Sequence, residues 1–226
     1  MRGIELRDAR VHYGPLEALH GVTLAAPAAA LTVLLGRNGA GRTTALRALA
    51  GTVALSSGAV VRDGRDITRR PAHERAAKGV CFVPDHLAVF ASLTVAENLG
   101  LSYPAGDFSR ALDAYPELRP LLPRRAGTLS GGEQRMLALT RALLPSAEVV
   151  LVDEPTQGMS PAVAARTYAL LDGLDACVVL AEQRLPPALR DGARRTAVVH
   201  ELRRGAVVFS GEAGELRPAR TRRVPE

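Results

Sequence analysis

Apolar residues fall along this chain in two rhythms. Near the N-terminus they alternate: Ile4, Leu6 and Val11, then Leu19, Val22 and Leu24, with Gly14-Pro15 between the two sets. That period predicts two antiparallel strands joined by a turn. Further on they come in unbroken runs: Leu31-Thr32-Val33-Leu34-Leu35, Val80-Cys81-Phe82-Val83, Val149-Val150-Leu151-Val152 and Ala176-Cys177-Val178-Val179-Leu180-Ala181. Short runs without a polar face predict strands covered on both sides, as in a parallel sheet. Gly58 to Gly64 reads as a short strand closing in a turn, and residues 195–209 as two strands around Arg203-Arg204-Gly205. The small residues Ala25 to Ala30 read as a connection.

Elsewhere the period lengthens to that of a helix. Leu46 and Leu49 share one face of a helix that Gly51 can end, and residues 71–78 predict a short helix with Pro71 in its first turn. Residues 92–128 change character. Thr94 and Glu97 form a capping box, and helical pieces at 108–115 and 117–122 are separated by Pro116 and stopped by Pro123. A strong helix runs on from Gly131 through Leu144, another follows Pro161 to about Leu174, and a third starts near Pro186. These elements predict an α/β protein with a mainly parallel core, an antiparallel β subdomain and a helical subdomain. The 226 residues suit one domain, and 47% hydrophobic residues with only 4% aromatics suit an aliphatic core. Residues 1–91 and 146–216 would supply the core and β subdomain, residues 92–145 the helical subdomain, and residues 217–226 a frayed basic tail.

Between the first buried run and the first helix lies Gly36-Arg37-Asn38-Gly39-Ala40-Gly41-Arg42-Thr43-Thr44. Strand, glycine-rich turn and helix make the context of a phosphate-binding loop. The glycines let backbone N–H groups close around phosphate oxygens, and the helix adds its positive dipole end. Thr43 is placed to hold Mg²⁺ through its hydroxyl. Arg42 stands where the G-x-x-x-x-G-K-[ST] pattern has lysine. Lys78 is the only lysine among 29 basic residues, so Arg42 fits a general preference for arginine. It also changes the chemistry, because guanidinium is wider, planar and prefers a forked contact. A displaced donor would cost about 3 kcal/mol in a transition state. Phosphate binding is expected; full hydrolytic speed is the open point.

Other polar residues gather at strand ends. Asp85 and His86 follow Val83-Pro84 at a carboxyl end, where open α/β sheets bind ligands. His86 has no metal-spaced companion and reads as a loop histidine. Asp153 and Glu154 end another strand, where Asp153 can hold Mg²⁺ or its waters and Glu154 can polarise an attacking water. Ser130-Gly131-Gly132-Glu133-Gln134 opens a helix, either as an ordinary cap or as a second anion site. Tyr13 is a half-buried packing residue or a flat surface for an adenine ring. Gln183 reaches a phosphate or caps the next helix.

Cys81 and Cys177 sit within apolar runs and read as reduced core cysteines. The net charge of +6 admits anionic partners, but no basic stripe is interleaved with aromatics and no nucleic-acid motif occurs. Without an apolar run long enough to span a bilayer or a signal peptide, a cytoplasmic protein is expected.

Four elements stand in the order that resembles an ABC-transporter ATPase: Gly36–Thr44 as Walker A, Leu129–Gln134 as signature, Val149–Glu154 as Walker B and Glu182-Gln183 as switch. Finer runs, among them Leu93-Thr94-Val95-Ala96-Glu97-Asn98-Leu99 and Asp153 to Pro161, resemble the ATPase subunits of branched-chain amino-acid importers. The related urea and amide importers share much of this pattern. The resemblance implies ATP stacked on Tyr13, with Gly36, Asn38, Gly39, Gly41, Arg42, Thr43 and Thr44 around its phosphates. It implies Mg²⁺ near Thr43, Asp153 and Asp85, and catalytic roles for Glu154, Gln183 and Asp85. Asp85 stands where most such ATPases have glutamine and this subfamily glutamate. Ser130, Gly131, Gly132 and Gln134 would serve the nucleotide of a second ATPase subunit, paired head to tail. The segment at 101–107 is shorter than the family's. Membrane permease subunits, an indirect solute-binding protein, and a peripheral place on the inner face of the membrane are further implications; nucleic acid is not. An alternative is a nucleotide-binding regulatory half-site with little turnover, because of Arg42. In an asymmetric pair the Arg42 site would run slowly and the site completed by this chain's signature would stay competent.

Overall fold

The computed structural model describes residues 3–86, 88–103, 106–143, 147–190 and 193–216. β1 (Gly3–Tyr13) and β2 (Leu16–Pro27) form the expected hairpin. β3 (Leu31–Leu35) leads into α1 (Arg42–Ala50), which Gly51 ends in the left-handed region at φ 78°. β4 (Ser57–Arg62) and β5 (Arg65–Asp66) complete an antiparallel sheet in the order β2-β1-β4-β5. α2 (Ala72–Ala77) and β6 (Val80–Val83) follow, then α3 (Val95–Ser102), α4 (Ser109–Ala114) and α5 (Gly131–Leu139). The chain returns through β7 (Val149–Asp153), α6 (Pro161–Asp172), β8 (Cys177–Glu182), α7 (Pro187–Arg190), β9 (Ala197–Arg203) and β10 (Ala206–Glu212). The second sheet has the order β10-β9-β3-β8-β7-β6, parallel except for β9 with β10.

β3, β7 and β8 are buried at every residue, as unbroken apolar runs require. Alternation then sends neighbours to opposite faces. Leu31, Val33, Val150, Val152, Val178 and Leu180 meet Leu99, Leu118, Leu139 and Leu171 on one face. Leu34, Val149, Leu151 and Val179 meet α1 and the antiparallel sheet on the other, through Leu46, Leu49, Leu6 and Leu19. Because the strands are parallel, Leu35, Val83, Asp153 and Glu182 all end at one edge. The register aligns Leu35 with Glu182, Asp153 with Ala181, and Val83 with Val152.

Several boundaries differ from the sequence expectation. β2 runs on to Pro27, because Gly3 to Leu6 pair with Pro27 to Leu24 and take up part of the supposed connection. Pro71 precedes α2 as its cap rather than lying in its first turn. The expected helix at 117–122 is a 3₁₀ helix, Pro116–Leu121, since Pro120 lacks the N–H that an α-helix would direct at Pro116. The helix expected to reach Leu144 leaves α geometry after Leu139. There the Thr140 hydroxyl donates to the Leu137 carbonyl at 2.6 Å and Thr140–Leu143 tighten to 3₁₀. Leu144 and the tail at 217–226 lie outside the described residues.

Candidate functional site

The glycine-rich loop spans the turn between β3 and α1. Gly39 and Gly41 take φ 78° and 105°, and a Cβ on Gly41 would meet Leu19 Cδ2 at 3.0 Å. Glycine is required there by both dihedral and space. The β9–β10 turn braces the loop, with the Gly205 N–H donating to the Ala40 carbonyl at 2.9 Å, and the end of β8 holds its start, where the Gly36 N–H donates to the Glu182 carbonyl at 3.2 Å. Beside the loop opens a cavity of about 660 Å³. Its walls include Tyr13, Asn38, Gly39, Gly41, Arg42, Thr43, Thr44, Asp85, Asp153, Glu154 and Gln183, which the sequence reading proposed separately. Tyr13 is 42% exposed at the mouth.

Arg42 points inward. Its Nη1 donates to Glu154 Oε1 at 2.8 Å and its Nη2 to Asn38 Oδ1 at 3.4 Å. The Arg42 and Glu154 side chains are 6% and 19% exposed, so the ion pair is mostly desolvated. Glu154 holds φ 49°, a left-handed conformation that costs a non-glycine residue about 1–2 kcal/mol. Such strain gathers at functional positions.

Asp153 is 1% exposed, and neither carboxylate oxygen has a hydrogen-bond partner among the described residues. Burial raises its pKa; the adjacent Thr43 hydroxyl and Arg42 charge oppose the shift, while Asp85 and Glu154 add to it. Orphaned carboxylate oxygens beside a threonine hydroxyl and a second carboxylate are the hard oxygen donors that Mg²⁺ takes. The donor set therefore fits such a cation. No cluster of His, Cys, Asp and Glu forms a preformed metal cage among the described residues. His86 also lines the cavity, paired with Asp85 at 3.2 Å.

The signature residues stand apart from this cavity. Ser130 caps α5: its hydroxyl accepts from the Glu133 N–H at 3.3 Å, and Glu133 Oε2 accepts from the Ser130 N–H at 2.7 Å. Gln134 donates to the Ala126 and Leu129 carbonyls at 3.1 and 3.3 Å, bracing the loop before the helix. Gly132 lies against Gly158, where a Cβ would come within 2.5 Å of the Gly158 carbonyl oxygen.

Directly before Gln183, Glu182 ends β8 as a buried residue that had no separate role in the sequence analysis. Its neighbour Tyr168 donates to Glu182 Oε1 at 2.5 Å and shares a hydrogen bond with Thr156 at 3.0 Å. Burial pushes the Glu182 carboxyl up to about 7, against the Tyr168 hydrogen bond. The ordinary value is 4.5, so the folded chain keeps a proton that the unfolded chain gives up. Stability from this group is full below pH 4.5 and is lost as pH rises towards 7. Glu182→Gln is expected to remove about 2–3 kcal/mol of that dependence, read as urea unfolding at pH 5 and pH 7. An unchanged slope would contradict the assignment.

A family model described as "ABC transporter" matches residues 19–157. The chain belongs to this family. Among curated relatives, the Archaeoglobus fulgidus protein named "Probable branched-chain amino acid transport ATP-binding protein LivF" is 39% identical over 197 residues, 82% of each chain. The Pseudomonas aeruginosa "High-affinity branched-chain amino acid transport ATP-binding protein BraG" is 34% identical over 79% of this chain and 81% of its own. The crystal structure of the ADP conformation of MJ1267, an ATP-binding cassette of an ABC transporter, matches with a TM-score of 0.76. That match covers 94% of this chain and 91% of MJ1267 at 22% identity, and it shows the fold of the ABC ATPases. The glycine-rich loop, strand ends and α5 thus occupy an ABC cassette.

Proposed function

We propose that this ABC cassette binds and hydrolyses Mg²⁺-ATP to energise a membrane importer of branched-chain amino acids or related small polar solutes. The observation that carries the reading is the convergence of the phosphate loop, the orphaned Asp153 carboxylate and Glu154 on one cavity. Backbone N–H groups of Gly39 to Thr44 bind the phosphates, and Tyr13 takes the adenine ring. Thr43, Asp153 and Asp85 hold Mg²⁺, which neutralises phosphate charge when bound. Glu154 orients and polarises the attacking water, and Gln183 senses the terminal phosphate.

Residues 92–145 act as a helical subdomain beside the remaining core. Ser130, Gly131, Gly132 and Gln134 complete the site of a second ATPase subunit across a head-to-tail interface. Phe90 and Leu101, 58% and 59% exposed, flank a groove of about 300 Å³ offered to the permease, which works with a solute-binding protein. The cassette sits peripherally on the inner face of the membrane, held there by the permease; no helix among the described residues is long and apolar enough to cross a membrane. The relatives support a working ATPase over the degenerate half-site, as does retention of both Asp153 and Glu154.

The test is uptake. In cells that carry this chain, its loss should abolish uptake of labelled leucine, isoleucine and valine, with recovery on restoring the wild type but not Glu154→Gln. Unchanged uptake of all three would refute the solute assignment.

A further inference from the structure

One buried cation has no part in the nucleotide chemistry above. Arg135 lies on α5, one turn beyond Ser130, and is 5% exposed. Its Nη1 donates to the Pro84 carbonyl and its Nη2 to the Asp153 carbonyl, while Nε has no partner among the described residues. Those two carbonyls follow directly on the last pair of the β6–β7 ladder, Val83 with Val152. Asp85 comes next after Pro84, and Glu154 next after Asp153. A single planar group from a helix thus spans the point where the sheet stops holding these strands together.

Packing does not call for a cation at this place. Burial works against the Arg135 charge, and Asp153, Asp85 and Glu182 around it sustain it. An apolar side chain of similar length would fill the same space without desolvating a charge. What only guanidinium supplies is a rigid fork that reaches two carbonyls at once. The same helix presents Ser130-Gly131-Gly132 at its N-terminus, so the fork connects that end to the floor of the nucleotide cavity.

We propose that Arg135 is a positioning residue for hydrolysis, tying the helix that carries Ser130-Gly131-Gly132 to the strand ends that carry Asp85 and Asp153-Glu154. A displacement of the helix on engaging nucleotide is then transmitted to both strand ends together. This rests on the ATPase reading above for its effect on turnover, but not for its geometry.

The test compares full-length wild type with Arg135→Met and Arg135→Lys. Hydrogen exchange read by mass spectrometry should accelerate about tenfold over residues 80–86 and 149–154 in Arg135→Met, with α1 unchanged. Turnover should fall about 10- to 100-fold while KM for ATP stays within about twofold. Arg135→Lys should recover part of the rate, because an ammonium reaches one carbonyl at a time. Wild-type exchange at both strand ends, or an equal rise throughout the chain including α1, would overturn the proposal. An unchanged kcat in Arg135→Met beside an active wild type would do so as well. If wild type itself showed no turnover, the ATPase reading would fall, and the exchange comparison would still decide whether Arg135 holds the two ends.

Discussion

Glu154→Gln is expected to lower Mg²⁺-ATP turnover by about 100- to 10,000-fold while leaving nucleotide bound. Glutamine keeps the size of the side chain and its carbonyl oxygen, so Arg42 retains an acceptor at the position it now contacts at 2.8 Å. What disappears is the negative charge that polarises a water. The backbone at φ 49° and the Glu154 N–H bond to the Ala181 carbonyl at 3.0 Å are independent of the side-chain charge. The loss should therefore fall on kcat rather than on nucleotide affinity. Equilibrium binding of a fluorescent nucleotide beside a phosphate-release assay separates the two. Near wild-type turnover in Glu154→Gln would show that another group prepares the water.

Arg42→Met should reduce turnover by about 100-fold, the loss typical of one well-aimed donor. Arg42→Lys should stay within about tenfold of wild type, equivalent to a hydrogen bond of about 1.4 kcal/mol. Lysine preserves a positive charge for the phosphates but gives up the fork that joins Glu154 to Asn38. The guanidinium is engaged by Glu154, so phosphates must compete with that carboxylate for it. A double-mutant cycle in thermal unfolding, using Arg42→Met and Glu154→Ala so that each change removes the contact, should give a coupling of about 1–3 kcal/mol without nucleotide. With saturating nucleotide the coupling should shrink below about 0.5 kcal/mol. Coupling that persists would mean Arg42 never leaves Glu154 for the phosphates. A wild type at background turnover that Arg42→Lys restores would favour the half-site and the asymmetric pair.

Many site residues were legible because their signals are local. A glycine-rich turn between a buried run and a helix is readable in nine residues, and the capping box at Thr94 in four, whereas the box that Ser130 makes with Glu133 came only from the structure. Strand ends were marked by carboxylates directly after apolar runs, as at Asp153-Glu154. Arg135 carried no such mark, being one basic residue within a helix whose pattern fits any surface arginine. Glu182 was visible beside Gln183, but its raised pKa comes from enclosure by other elements, which outweighs the hydrogen bond that Tyr168 donates.

The element types, the mainly parallel core and the phosphate loop are determined by the sequence itself, because each follows from periods of two to four residues and from dihedrals that glycine alone tolerates. Tertiary structure decided the rest. Arg42 and Glu154 stand 112 positions apart, and Arg135 reaches Pro84 across 51. Their meeting depends on the strand order β10-β9-β3-β8-β7-β6, which sets β8 between the phosphate-loop strand and the strand ending in Asp153. No local period encodes which strand lies beside which; that choice belongs to the packing of the whole sheet between its two covering layers.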